Sequence, residues 1–150
     1  MNDLLKRRIY VASSWKNARQ PDVVRALRSA GHHVYDFRNP SEGDNGFAWS
    51  DIDPHWQGWD CETYIRKLDH PVAVAGYEKD WGAMQWADTG VLVMPCGRSA
   101  HLEAGYFVGA GKPLIILIEK AEPELRYRMA SKIVTTILEI TEALRDAEAL

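Results

Sequence analysis

The chain has 150 residues, 46% of them hydrophobic and 26% charged, the size and make-up of one globular domain, residues 1–150, able to bury a full core without staples. A formal net charge of −3 excludes a general nucleic-acid binder, which needs a basic face, and no run approaches the roughly 20 apolar residues of a membrane span. Two cysteines, Cys61 and Cys96, lack metal-ligand spacing, so a reducing, cytoplasmic setting is expected in place of a disulfide framework.

The opening "MNDLLKRRIYVAS" carries charges but no apolar core with a small-residue cleavage site, so no export signal is expected. "RRIYVAS" (7–13) predicts a first strand, and "PDVVRALRSAG" a helix with Pro21 in its first turn and Gly31 as its stop. "HHVYDF" (32–37) predicts a second strand. Residues 38–60 then form a long polar loop rich in aromatics, including Phe47, Trp49, Trp56 and Trp59. Loops of that length in a compact domain are usually functional or disordered, and the aromatics favour function. Two readings of them stay open: stacking on a flat ring of a ligand, or packing of the loop onto the domain or in a subunit contact.

"CETYIRKLDH" (61–70) predicts a helix, and "DWGAMQWAD" (80–88) another that opens on Asp80 as N-cap. "GVLVM" (90–94) and "PLIILI" (113–118) are continuous apolar runs, the signature of buried parallel strands. Between them "SAHLEAGYFVGAG" (99–111) predicts a helix ending at Gly111. "EPELRYRMA" is a short helix or turn, "KIVT" (132–135) a fifth strand, and "TILEITEALRDAEAL" a closing helix with Thr136 and Glu139 as a capping pair.

Strands alternating with helices predict an α/β three-layer sandwich with a five-stranded parallel sheet, in the flavodoxin-like order 2-1-3-4-5. That order puts the ligand crevice at the carboxyl ends of strands 1 and 3, where "SSWKN" (13–17) and "PCGRS" (95–99) meet. Both loops lead into helices, whose free N–H groups suit a phosphate.

Glu103 stands in an otherwise apolar, glycine-bearing helix just beyond this point. It reads either as a carboxylate favoured by the helix dipole or as a nucleophile able to attack a sugar carbon. Asp80 likewise reads as an N-cap or as a partner carboxylate that assists proton delivery. Asp88 reads as a turn residue. His101 points to a different side of the helix from Glu103 and reads as structural or as part of a site's rim. The remaining histidines show neither i,i+4 pairing nor cysteine company, so no metal site and no cofactor are expected.

"IYVASSWKN", "DWGAMQWADTGVLVMP" and "GRSAHLEAGYFVGAGKPLIIL" together resemble the nucleoside 2-deoxyribosyltransferase superfamily, which includes the 2′-deoxynucleoside 5′-monophosphate N-glycosidases. The resemblance spans residues 9–118 and, more loosely, the closing helix; its most specific part is Glu103-Ala104-Gly105. It implies a flavodoxin-like enzyme, dimeric or higher, with Glu103 as nucleophile on C1′, Asp80 as the second carboxylate and Tyr10 as the first-strand aromatic. Transferases of free nucleosides place a carboxylate about six residues before the nucleophile, whereas this chain has Gly97 there, followed by Arg98 and Ser99. With Ser13, Ser14, Trp15 and Lys16 after the first strand, the residues favour a 5′-phosphate, which needs donors and positive charge. Arg98-Ser99 stands a residue or more out of the hydrolase register.

The function expected is cleavage of the base–sugar bond of a (2′-deoxy)nucleoside 5′-monophosphate, by hydrolysis or transfer. Three rivals remain: a nucleotide-binding or sensor module without chemistry, an NAD-cleaving glycohydrolase of the same fold, and an FMN protein. The absence of glycine from "SSWKNARQ" weighs against the last. The partners expected are a small nucleotide or nucleoside and further copies of the chain, with no nucleic acid and no membrane.

Overall fold

The computed structural model describes residues 5–120, 123–146 and 150. Expectations about residues 1–4, Glu122 and the last turn of the closing helix at 147–149 lie outside the described residues. By its internal contacts the chain forms two compact units, residues 1–36 with 84–150, and residues 37–83.

The first unit is built on five parallel strands in the order β2-β1-β3-β4-β5. They are β1 (Arg8–Ala12), β2 (His33–Asp36), β3 (Thr89–Val93), β4 (Leu114–Leu117) and β5 (Lys132–Val134). The central registers pair Tyr10 with Gly90 and Leu92 with Ile116. The apolar runs are continuous because both faces are covered. On one face Ile9, Val11, Val91, Val93, Ile115 and Leu117 pack with α1 (Gln20–Ser29) and α5 (Ile137–Arg145), through Val23, Leu27, Ile140 and Leu144. The pleat sends Tyr10, Leu92 and Ile116 to the opposite face, where α4 (Arg98–Gly109) lies over β1, β3 and β4.

Local chemistry explains the ends of these elements. Gly31 and Gly111 adopt φ of 93° and 70° just past α1 and α4, a region where a side chain is strained. Thr136 caps α5 by accepting from the Glu139 N–H at 3.2 Å, while its hydroxyl donates to the Glu139 carboxylate at 2.9 Å. Asp88 accepts from the Arg8 N–H at 3.1 Å and from the Thr89 hydroxyl at 2.9 Å, tying the start of β1 to that of β3. At the other end of β2, the Gln20 side-chain amide donates to Asp36 at 2.8 Å, and both groups are buried. Gly90 is needed for a close approach: a Cβ there stands 2.7 Å from the Phe107 ring of α4.

The second unit contains α2 (Cys61–Lys67), capped by Asp60 accepting from Thr63 N–H at 2.8 Å, and most of α3 (Pro71–Trp86). The expected helix opening at Asp80 is corrected here, because α3 begins nine residues earlier at Pro71. Pro71 suits a first helical position, and the preceding His70 ring accepts from the Val72 N–H at 3.2 Å, satisfying a donor the helix itself leaves open. Asp80 is therefore interior to a helix and not its cap.

The aromatic loop carries two short elements and no fully buried residue. Two 3-10 turns, Trp49–Asp51 and Trp56–Gly58, fold it back on itself. Trp49 meets Phe47, Trp59 and Tyr64 edge-on at 4.8, 5.8 and 6.0 Å between ring centres. The Trp59 indole donates to Asp53 at 2.8 Å, and that bond, with one from the His55 N–H, holds the Asp53 carboxyl below its ordinary range.

Candidate active site

At the carboxyl ends of β1 and β3, the two loops expected to meet are joined by hydrogen bonds. The Ser13 hydroxyl donates to the Val93 carbonyl at 2.9 Å. The buried Asn17 amide donates to Val93 at 3.2 Å and to Pro95 at 3.1 Å, while its oxygen accepts from the Arg19 N–H at 2.8 Å. One side chain thus fixes both loops and the entry to α1. Ser14 closes the turn by accepting from the Lys16 N–H at 3.2 Å, leaving Trp15 and Lys16 exposed. Asn17 has no sequence signal as a clamp, since a polar residue in a loop reads as solvated until burial is known.

Gly97 precedes α4 and has no side chain to cap it, so the first-turn N–H groups have no side-chain acceptor at the cap position. Arg98 and Ser99, the first two helical residues, are exposed. Ala100, Ala104 and Phe107 form the buried stripe, and Glu103 lies beside that stripe, half-buried. Phe107 rests at 5.9 Å from the ring of Tyr10, which is fully buried and stacks on Tyr35 at 5.3 Å. Glu103 is close enough to matter electrostatically to Cys96. Burial first, and the Glu103 charge second, push the Cys96 thiol from 9.0 up to about 11.

Successive helical residues turn by about 100°, so Glu103 and His101 differ by roughly 200° and occupy opposite flanks of α4. The flank of Arg98, His101, Gly105 and Val108 borders a cavity of about 830 Å³ that Glu103 does not line. There the His101 ring bonds the Gly97 carbonyl through Nδ1 and the Tyr127 hydroxyl through Nε2, both at 2.8 Å. Cys96 Sγ lies 3.7 Å from His101 Nδ1 and 3.4 Å from Met94 Sδ. Neither the cavity nor this cluster was legible beforehand, because Tyr127 is 26 residues from His101 in sequence.

Of the residues singled out in the sequence, Ser13, Ser14, Trp15 and Lys16 fall in one of the joined loops and Gly97, Arg98 and Ser99 in the other. Tyr10 lies under α4, and Arg98 shares the cavity flank with His101. Phe47, Trp49 and Trp59 turn edges and faces toward each other within residues 37–83, and Trp56 is exposed. Asp80 is half-buried inside α3. Among the described residues no group of three or more His, Cys, Asp or Glu is placed to hold a metal ion, and no helix is long and apolar enough to cross a membrane.

The architecture is an α/β fold with an all-parallel five-stranded sheet covered by helices on both faces. No family model matches the chain, and no curated protein matches it. Among solved structures it is similar to a 2-deoxyribosyltransferase from the psychrotolerant bacterium Bacillus psychrosaccharolyticus, with a TM-score of 0.60 over 89% of each chain at 18% identity. A likeness at that identity establishes the fold.

Proposed function

We propose that the protein cleaves the N-glycosidic bond of a nucleoside 5′-monophosphate, with Glu103 as nucleophile. The observation that carries this reading is the position of Glu103. It is half-buried, about one turn inside a helix whose N-terminus has no side-chain cap, at the carboxyl edge of the sheet, in a fold shared with a 2-deoxyribosyltransferase. A partly desolvated carboxylate there is well placed to meet positive charge developing on an anomeric carbon.

In the first step a Glu103 oxygen bonds to C1′ as the C1′–N bond breaks, and the base leaves with the bonding pair and takes up a proton. In the second step water adds at C1′ and gives up a proton, balancing the one the base took up, while the ester bond breaks and the Glu103 carboxylate is regenerated. Two displacements at one carbon give net retention. The 5′-phosphate would draw on the first-turn N–H groups of α4 and on the Ser13–Lys16 loop, which offers hydroxyls and a lysine. The resemblance in sequence gives Asp80 the assisting role, and that assignment rests on the resemblance.

The test is incubation with a panel of nucleosides and their 5′-monophosphates, with chromatography for released base. Base is expected from at least one monophosphate, more slowly from its nucleoside, and not from Glu103→Ala, with Asp80→Asn slowed but measurable. Full activity of Glu103→Ala, or no base from any member of the panel, removes the reading.

A further inference from the structure

The cavity on the other flank of α4 has a size and lining of its own. Its volume, about 830 Å³, falls in the range of roughly 300–1,000 Å³ typical of small-molecule sites. The floor and walls are apolar: Leu114 and Ile116 from β4, Val108 and Ala104 from α4, and Met129 and Ala130 from the segment before β5.

The polar groups that reach inward are already matched to one another. A carbonyl only accepts, so His101 Nδ1 carries its proton toward Gly97 O; a neutral ring then accepts the Tyr127 proton at Nε2. The two rings lie nearly parallel, 18° apart with centres at 5.8 Å, and both line the cavity. Burial pushes the Cys96 thiol up to about 11, which keeps it neutral near pH 7. An occupant therefore has little to satisfy inside except shape and apolar area.

Charge is concentrated in three cations that line the cavity, Arg98, Lys120 and Arg126. Glu124 is the one carboxylate among the described lining residues, and it pairs with Arg126 at 3.4 Å. Among the described residues the lining is thus net positive around a largely apolar interior.

We infer that this cavity is a second ligand site, for a small organic anion with a flat apolar body, its acid group held by Arg98, Lys120 and Arg126 and its body against His101, Tyr127 and Ile116. The site shares the Pro95–Arg98 loop with the crevice but lies on the flank of α4 that Glu103 does not line, and the inference does not depend on the proposed glycosidase reading. An aromatic or unsaturated carboxylate, sulfonate or phosphate ester has the matching chemistry.

The probe is 8-anilinonaphthalene-1-sulfonate, with N-phenyl-1-naphthylamine as the same body without its acid group. Fluorescence titration of the full chain is expected to show one saturable site per chain for the sulfonate. Affinity should be at least tenfold lower for the neutral analogue and for the Lys120→Ala/Arg126→Ala double variant. Gly105→Leu should abolish binding, since Gly105 lines the cavity and a Cβ there meets nothing within 4 Å. Thermal melts check that each variant is folded; the charge variant, made at exposed positions, keeps the test decisive if Gly105→Leu fails to fold. Equal binding of the two probes, or binding untouched by the charge variant, overturns the inference. So does an absence of sulfonate binding with sedimentation showing a dimer, because a second copy would then cover the cavity.

Discussion

In the sheet unit, Ile9, Val11, Val91, Val93, Ile115 and Leu117 are each exposed by 1% or less. Between Phe37 and Ala83, Phe47, Trp49 and Trp59 are only half-buried and meet edge-to-face at defined angles. Around them stand short-range polar contacts: Asp53 with the Trp59 indole, and Asp44 with the Lys79 ammonium. The first arrangement draws on area removed from water, which is non-directional and large. The second relies on ring quadrupoles and single hydrogen bonds, each worth about 1 kcal/mol. The contrast separates a tightly packed frame from a region whose stability is more easily perturbed.

The largest effect is expected at the centre of the sheet. Ile115 is fully buried between β3 and β5, and Ile115→Ala should lower unfolding free energy by about 2–5 kcal/mol. Denaturant melts followed by far-ultraviolet circular dichroism measure it, with an unchanged m-value showing that the loss is in stability and not in cooperativity. A loss below about 0.5 kcal/mol would break the comparison, since surface changes give that much.

Trp49→Ala probes the other side. Edge-to-face pairs contribute about 0.5–1.5 kcal/mol each beyond burial, and Trp49 makes three. Protection from hydrogen exchange should fall within residues 37–83 while β1, β3 and β4 keep theirs. Equal loss in the strands would mean that the two regions do not differ in the way their packing indicates.

The same contrast decides what was legible in the sequence. The runs "GVLVM" and "PLIILI" announce parallel strands because burial on both faces leaves no alternation to confuse with another element, and five strands alternating with helices suggest the order that is found. Helix ends marked by Gly31, Gly111 and Thr136 were equally plain, each with a single-residue mechanism. Asp80 shows the opposite case. An aspartate before an apolar stretch looks like an N-cap, but Pro71 and the His70 ring start the helix earlier, and a ring nitrogen acting as a cap lies outside the usual Ser/Thr/Asp/Asn signal. Of the site, the Glu103 helix and the two loops could be anticipated, because topology brings strand ends together. Asn17 and the His101–Tyr127 pair could not, since their roles exist only once residues distant in sequence are adjacent.

The smallest effect concerns the two thiols, one in each region. Cys61 is exposed, while Cys96 is raised from 9.0 to about 11, by burial and then by Glu103. A thiolate is the reactive form, so alkylation at pH 7.5 should modify Cys61 first and leave Cys96 slow until the pH nears 11. The stability consequence has a definite sign. The neutral thiol is favoured in the folded state, so its contribution is fully present below about 9 and is lost as pH rises toward 11, because the unfolded chain ionises first. Cys96→Ser should flatten that part of the stability–pH curve. Glu103→Gln should move the Cys96 titration downward by less than burial moved it upward, since the carboxylate is the lesser of the two causes. Mass-spectrometric alkylation rates against pH read the shift directly. An unmoved titration would mean that Glu103 carries no charge beside Cys96, and a nucleophilic carboxylate must be ionised.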